Sequence, residues 1–259
     1  MNCPAFADND QDKLLVAKIN DMLRKSQRSF SPSYSFFLDE RQCALAEKIC
    51  TQFNNPQILF RLWGGFAEAQ RKMLCVFSDI YPEPDTNNYP FRCLSFSYKG
   101  EKMLSHRDFF GSLMALRLKR EAIGDIIVED NFSQLFATDA AAQLILSEIH
   151  KIGNHNVTVR DDLPLTAEAK QDFTVLDCTV CSMRTDCIIA SALNLSREKS
   201  AALIHSGCVQ VNFFSQSSVS CEMKTNDVFS VRGFGKFIID SVGGITKKGR
   251  IHIKIRKYI

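Results

Sequence analysis

The chain has 259 residues, of which 45% are hydrophobic, and a formal net charge of +3. This length allows one large domain or two to three small ones with ordinary packed cores. No apolar run reaches the roughly 18 residues of a membrane-spanning helix, and residues 2–12 lack the layout of a signal peptide. We therefore expect a globular, cytoplasmic protein with no membrane partner.

Charge is distributed unevenly along the chain. Residues 184–259 hold 12 Lys or Arg against 5 Asp or Glu, a net +7, whereas residues 1–183 hold 20 against 24, a net −4. Because clustered basic residues attract polyanions, the C-terminal third is predicted to contact one.

The ten cysteines are scattered through apolar segments. Without a secretion signal, this favours reduced, buried thiols over a disulfide framework. Cys178 and Cys181 have the spacing of half a zinc site, but a tetrahedral site needs four ligands, and only Cys187 and Cys208 are near in sequence. We expect no metal and no cofactor.

The first elements are predicted to be helical. Apolar residues recur at helical spacing in two stretches of residues 10–53, which residues 31–33 separate. Residues 1–55 are therefore predicted to be a helical N-terminal segment. Short strands follow at residues 58–63 and 73–77, on either side of Gly64 and Gly65.

The middle of the chain alternates strands with helices. Strands are predicted near residues 94–98, 126–128, 134–137 and 157–160, and helices at residues 105–119 and 139–152. This order predicts an α/β domain over residues 56–165, ferredoxin-like or RNA-recognition-like, and an α+β fold for the whole chain. Phe96 and Tyr98 could line an exposed sheet that stacks bases or lie in the core, and Gly111 is predicted to mark close helix packing.

Three basic residues of this middle domain have two interpretations. Ser105 and Asp108 form a predicted capping box that places Arg107 in the first turn of a helix. Arg107, Lys119 and Arg120 could contact phosphates, or they could be solvated and pair with nearby carboxylates. The sequence leaves this choice open.

After a linker that begins at Asp161, the last domain is predicted over residues 175–259. Ser196 is a good helix N-cap, and it places Arg197, Lys199 and the free amides of the first turn side by side. Such a corner suits an anion such as phosphate. Gly207 ends this helix, and a strand follows at residues 209–211. Near the end of the chain, Ile251, Ile253 and Ile255 alternate with polar residues, which predicts a further strand.

The last domain resembles the RNA-binding domain first described in ribosomal protein S-four, called the S-four domain below. The resemblance lies in the spacing Arg184-x-Asp186, in the pair Ser196-Arg197 and in the pattern that ends at Asn212. Together with the segment 104–126, which contains His106-Arg107-Asp108 and Lys119-Arg120-Glu121, they resemble the YlmH family of bacterial S-four proteins. The resemblance covers nearly all of the chain beyond its first forty residues.

This resemblance implies a C-terminal S-four domain and a non-catalytic protein that binds rRNA and tRNA on the large ribosomal subunit. It further implies a part in rescue or quality control of stalled translation, with no small-molecule substrate. The RNA-binding residues expected in the last domain are Arg184, Ser196, Arg197, Lys199, His205, Arg232, Lys236, Lys247, Lys248 and Arg250. Those expected in the middle domain are Arg107, Lys119 and Arg120.

Two alternatives come from other classes of protein. S-four domains also accompany pseudouridine synthases, so the chain could be an RNA-modifying enzyme. However, residues 106–108 lack the leucine of the catalytic Arg-Leu-Asp strand, and no nucleotide-binding loop is present in the sequence. A protein-binding adaptor is the other alternative, and the charge placement argues against it.

Overall fold

A computed structural model of the chain describes residues 9–29, 31–80, 84–100, 103–161, 164–167 and 172–259. The chain divides into two compact units, Met1–Ala169 and Lys170–Ile259. The predicted segments 1–55 and 56–165 therefore both lie within the first unit. Among the described residues, no helix is long and apolar enough to cross a membrane.

The first unit begins with a small sheet flanked by two helices. Its elements are α1 (Asp10–Ser29), β1 (Ser33–Leu38), α2 (Glu40–Gln52), β2 (Ile58–Trp63) and β3 (Lys72–Ser78). The sheet order is β1-β3-β2, with antiparallel neighbours.

Strand β1 corrects the prediction that residues 1–55 are a helical segment. Its sequence, Ser-Tyr-Ser-Phe-Phe-Leu, is rich in aromatic residues, which favour strands. Its partner β3 lies about 40 residues further along the chain, with Ser33 opposite Val76. A local search for helical periodicity cannot detect a pairing at that distance.

The rest of the first unit has the order strand, helix, two strands, helix, strand. Its elements are β4 (Phe91–Tyr98), α3 (His106–Ala115), β5 (Ile123–Glu129), β6 (Phe132–Thr138), α4 (Asp139–Glu148), β7 (Lys151–Ile152) and β8 (His155–Arg160). The sheet order β5-β6-β4-β8-β7, with antiparallel neighbours, is the ferredoxin-like arrangement extended by one short edge strand. The predicted α+β class is confirmed.

Both faces of this sheet are covered. Leu94, Phe96 and Leu135 face the helices, where they pack with Phe109 and Ile145. On the other face, Phe136 packs against Phe66 and Phe91, in a cluster that also contains Phe37 of β1. Gly65 belongs to this contact: at φ +103°, a Cβ atom there would lie 2.1 Å from the Phe136 ring.

A short segment after the predicted start of the linker is held on the sheet. The buried Gln134 amide donates to the Pro164 carbonyl at 2.8 Å. Its oxygen accepts from the backbone N–H groups of Thr166 and Ala167, both at 2.8 Å. Residues 164–167 are therefore part of the first unit and are not a free connection.

The second unit is a six-stranded sheet with two helices. Its elements are β9 (Phe173–Val180), α5 (Thr185–Ala192), α6 (Arg197–His205), β10 (Val209–Val211), β11 (Phe214–Ser215), β12 (Val228–Val231), β13 (Gly235–Ile245) and β14 (Ile251–Tyr258). The sheet order is β11-β10-β12-β13-β14-β9. Ile253 and Ile255 are buried with Ile188 and Ile204 of the helices, which confirms the predicted alternation along β14.

Candidate nucleic-acid interface

Two predicted RNA-binding arginines meet at a single carboxylate. Arg184, the N-cap of α5, donates from Nε and Nη2 to the two oxygens of Asp186 at 3.0 and 3.1 Å. Arg197, the first residue of α6, donates from Nη2 to Asp186 Oδ2 at 2.8 Å. We call these three residues the arginine clamp.

The net positive charge of the arginine clamp is smaller than Arg184 and Arg197 alone would give. Burial on its own would raise the pKa of Asp186, but the hydrogen bonds from Arg184 and Arg197 outweigh burial and lower that pKa to about 2. Asp186 is therefore ionised at neutral pH, and it offsets one of the two guanidinium charges. The arginine side chains are still 37% and 57% exposed, so they can contact a phosphate as well as the carboxylate.

The N-terminus of α6 extends this surface. Ser196 is the predicted N-cap, and its hydroxyl accepts from the Lys199 N–H at 3.3 Å. Ser200 donates to the Asp186 carbonyl at 2.8 Å and so fixes the start of α6 against α5. Lys199 is exposed, but Glu198 in the same turn is exposed as well and opposes its charge.

Three more of the predicted residues lie in the turn that joins β13 and β14. Lys247, Lys248 and Arg250 are all exposed, and the segment 246–250, which we call the basic tip, contains no acidic residue. The Arg250 carbonyl accepts from the Thr246 N–H at 2.7 Å, which closes the turn. The basic tip is therefore an exposed set of three cations without a carboxylate among them.

Strand register brings the basic tip and the arginine clamp to one end of the sheet. Ile251, directly after the tip, is the partner of Val180, the last residue of β9. Arg184 follows Val180 by four residues, a span of at most about 14 Å. Seven predicted positions therefore lie near one another: Arg184, Ser196, Arg197, Lys199, Lys247, Lys248 and Arg250. We call this region the basic end of the second unit.

Three other predicted residues of the second unit, His205, Arg232 and Lys236, lie at the opposite end of the sheet. Arg232 is in the turn between β12 and β13, and its N–H donates to the Cys208 carbonyl, just beyond His205 at the end of α6. Lys236 Nζ lies over the rings of Phe213 and Tyr258, at 5.2 and 4.6 Å from their centroids. Strand β13 separates these residues from the basic tip, so they do not share one contact surface with it.

The three predicted residues of the middle domain differ in their surroundings. Arg107 and Lys119 are exposed. Arg120 donates to the carbonyls of Ile123 and Gly124 at 3.1 and 3.3 Å and lies over the Phe110 ring. Burial, together with the nearby Arg71, lowers the pKa of Arg120 to about 10. Arg120 therefore helps to hold the turn before β5 in place.

The two aromatic residues considered for base stacking are in the core. Phe96 is fully buried and Tyr98 is 5% exposed, and both rings pack near Phe109 of α3. Neither ring is available to stack on a base. The middle domain therefore cannot use these two residues in the manner of RNA-recognition modules.

Sequence reasoning missed the role of Asp186 and most of β13. The Arg184-x-Asp186 spacing at a helix start was a visible signal for the role of Asp186, since a carboxylate two residues after an arginine can turn back to it.

In the part of the chain that the structure describes, no group of three or more metal-ligating side chains is close enough to hold an ion.

The chain is similar to known proteins. Residues 84–166 match the family model described as "Putative RNA-binding domain in YlmH". The chain is 27% identical over 252 residues to "Ribosome-associated protein quality control protein P2" of Bacillus subtilis (strain 168), and the match covers 95% of each chain. Its fold is similar to that of "Cell division protein ylmH from Streptococcus pneumoniae", with a TM-score of 0.52 and 16% identity over 60% of this chain and 93% of that one.

The fold is of the α+β class, and its middle segment matches a family model whose description is that of an RNA-binding domain. More specifically, the predicted resemblance to the YlmH family is confirmed. The matched segment begins before β4 and ends in the segment held by Gln134.

Proposed function

We propose that the chain is a cytoplasmic, non-catalytic RNA-binding protein that binds folded rRNA or tRNA on the large ribosomal subunit and acts in rescue or quality control of stalled translation. The S-four assignment of residues 175–259 is part of this proposal. The B. subtilis relative, whose name places it in ribosome-associated quality control, supports the ribosomal setting.

The observation that carries the proposal is the arrangement of the basic end. The basic tip offers three exposed cations, and the arginine clamp and the start of α6 lie at the same end of the sheet. Because phosphate contacts position a protein on RNA without reading its sequence, this surface suits the backbone and shape of a folded stem or junction.

The arginine clamp contributes rigidity more than charge. Asp186 fixes both guanidinium groups before RNA arrives, so less side-chain entropy is lost on binding. The basic tip supplies the net positive charge that attracts the RNA backbone. Arg107 and Lys119 of the first unit would extend the footprint to a second RNA segment.

A matched pair of charge reversals tests which end binds RNA. Arg250 and Arg232 are both exposed and both lie in turns between neighbouring strands, at opposite ends of one sheet. We expect Arg250→Glu to weaken binding of the full chain to a structured rRNA fragment about tenfold, or about 1.4 kcal/mol. Arg232→Glu is expected to change it less than about threefold. Equal losses from the two variants would overturn the assignment of the basic end.

Salt dependence separates RNA binding from the adaptor alternative. The logarithm of the RNA affinity should fall by roughly 0.7 to 0.9 for each tenfold rise in salt concentration, for each phosphate that the protein neutralises.

The enzyme alternative is tested separately, by mass spectrometry of rRNA and tRNA from cells without the protein. A modification that is missing there and restored by the purified protein would contradict the non-catalytic proposal.

A further inference from the structure

Two thiols of the second unit lie in contact beside the arginine clamp. Cys181 directly follows β9 and is exposed, whereas Cys187 is buried in α5. Their sulfur atoms are 3.4 Å apart. The sulfur atoms of a disulfide are separated by about 2.05 Å, so a movement of about 1.4 Å would join them.

Cys181 has the environment of a reactive thiol. Its hydrogen bond with Cys187 and the nearby Arg197 guanidinium lower the pKa of Cys181. In contrast, burial raises the pKa of Cys43 and Cys50 to about 12 and that of Cys75 to about 11. Since the thiolate is the nucleophile, an oxidant should react with Cys181 before these buried cysteines.

The structure also selects the partner of Cys181. In sequence, Cys178 and Cys181 have the spacing of half a zinc site, but Cys178 is buried in the core of the second unit. Cys187 instead contacts Cys181, and Ser182 Oγ also lies 3.4 Å from the Cys187 sulfur. The contact therefore favours a bond between residues 181 and 187 over one between residues 178 and 181.

We propose that Cys181 and Cys187 form a dithiol site that peroxides oxidise reversibly to a disulfide. The Cys181 thiolate attacks one oxygen of hydrogen peroxide, the O–O bond breaks, and a sulfenic acid forms as the released hydroxide takes up a proton to become water. Cys187 then loses its proton, its sulfur attacks the Cys181 sulfur, the S–O bond breaks, and a second water leaves. Two electrons pass from the two thiols to the peroxide.

The disulfide would enclose part of the arginine clamp. The ring from residue 181 to residue 187 contains both Arg184 and Asp186. The backbone N–H of Cys187 already donates to Asp186 Oδ1 at 3.0 Å. Oxidation would thus restrain the segment that presents Arg184. This consequence matters for RNA only under the proposed function, whereas the oxidation chemistry is independent of it.

The test is oxidation of the full, reduced chain with about one equivalent of hydrogen peroxide, followed by alkylation of free thiols and peptide mapping. We expect one disulfide, between Cys181 and Cys187, which lowers the mass of the chain by two hydrogen atoms. Addition of dithiothreitol should restore both thiols. A linkage between Cys178 and Cys181, or random oxidation across the cysteines, would overturn the proposal.

Cysteine variants test which thiols take part in the oxidation. Cys181 is exposed, so Cys181→Ser should fold normally and abolish the linkage, while Cys221→Ser, at a half-buried thiol of the same unit, should leave it unchanged. Cys187→Ala, which removes the resolving thiol from the buried position, should leave Cys181 as a sulfenic acid that reacts with dimedone. Absence of dimedone labelling in this variant, with its fold confirmed by circular dichroism, would show that Cys181 is not the attacked thiol.

Discussion

Ile251 pairs with Val180 across two neighbouring antiparallel strands, so β14 begins where β9 ends. This register places the basic tip and the arginine clamp at one end of the second unit, although about 50 to 65 residues separate them in sequence. The candidate interface therefore depends on a strand pairing, and its parts can be tested one at a time.

Asp186→Asn should destabilise the second unit. The change removes the charge that holds two guanidinium groups, and one amide cannot accept all of the hydrogen bonds that the carboxylate accepts. We expect a loss of about 2–3 kcal/mol in the free energy of unfolding, measured by urea denaturation. Glu198→Gln, at an exposed position in α6, is the control and should change it by less than about 0.5 kcal/mol. Equal unfolding midpoints for the two variants would show that the clamp does not contribute to folding.

Acid should weaken the second unit through the same carboxylate. Because the pKa of Asp186 is lowered from 3.8 to about 2, the folded state binds this proton less readily than the unfolded state. The stabilisation is therefore complete above about pH 4 and is lost as the pH falls towards 2, and it amounts to roughly 2 kcal/mol. Stability curves between pH 2 and 6 should be steeper for the natural chain than for Asp186→Asn. Parallel curves would contradict this account.

Arg197→Gln should lower the affinity for RNA while changing the stability of the fold only slightly. Arg197 makes one hydrogen bond to Asp186 and is more than half exposed, so its loss should cost less than about 1 kcal/mol of stability. Under the proposed function, RNA affinity should fall roughly tenfold, and the salt slope should decrease by about 0.7 to 0.9 because one phosphate contact is lost. The charge reversal Arg197→Glu is less informative, since it places a second carboxylate beside Asp186. An unchanged salt slope for the glutamine variant would exclude Arg197 from the interface.

Two glycine substitutions should have opposite effects on the first unit. Gly65→Ala places a methyl group against the Phe136 ring at a positive φ angle, and we expect a loss of about 2 kcal/mol or more. Gly111, predicted to mark close packing, is exposed in α3 and has no atom near its Cβ position, so that prediction is wrong. Gly111→Ala should therefore stabilise the helix by about 0.5–1 kcal/mol. Thermal unfolding of the two variants should shift in opposite directions, and a shared direction would be inconsistent with this packing.

Gln134→Ala should release residues 164–167 from the sheet. The substitution leaves the buried N–H of Ala167 without its acceptor and removes the donor to the Pro164 carbonyl. We expect a loss of about 2–3 kcal/mol and faster proteolysis within residues 164–167. Ser95→Ala removes only one hydrogen bond to Gln134 and should have a smaller effect on both measurements. If the proteolysis rates of the natural chain and Gln134→Ala are equal, another contact holds the segment.

Local sequence signals predicted much of the fold correctly. The strand and helix order of the middle domain, the Ser105 and Ser196 caps, and the alternation along β14 all depend on neighbouring residues, and the structure shows each of them. The α3 helix ends at Ala115, earlier than predicted, where Arg117 adopts a positive φ of 58°. Helix ends depend on such backbone turns, which side-chain periodicity does not reveal.

By itself, the sequence determined the class of fold and the basic character of the last domain, and it predicted which residues contact RNA. Only the tertiary structure decided that Arg184 and Arg197 share Asp186, that Lys236 lies over aromatic rings at the far end, and that Phe96 and Tyr98 are buried. The physical reason is that propensity and periodicity act over a few residues along the chain. Charge pairing and burial instead depend on which distant residues strand register and packing bring together.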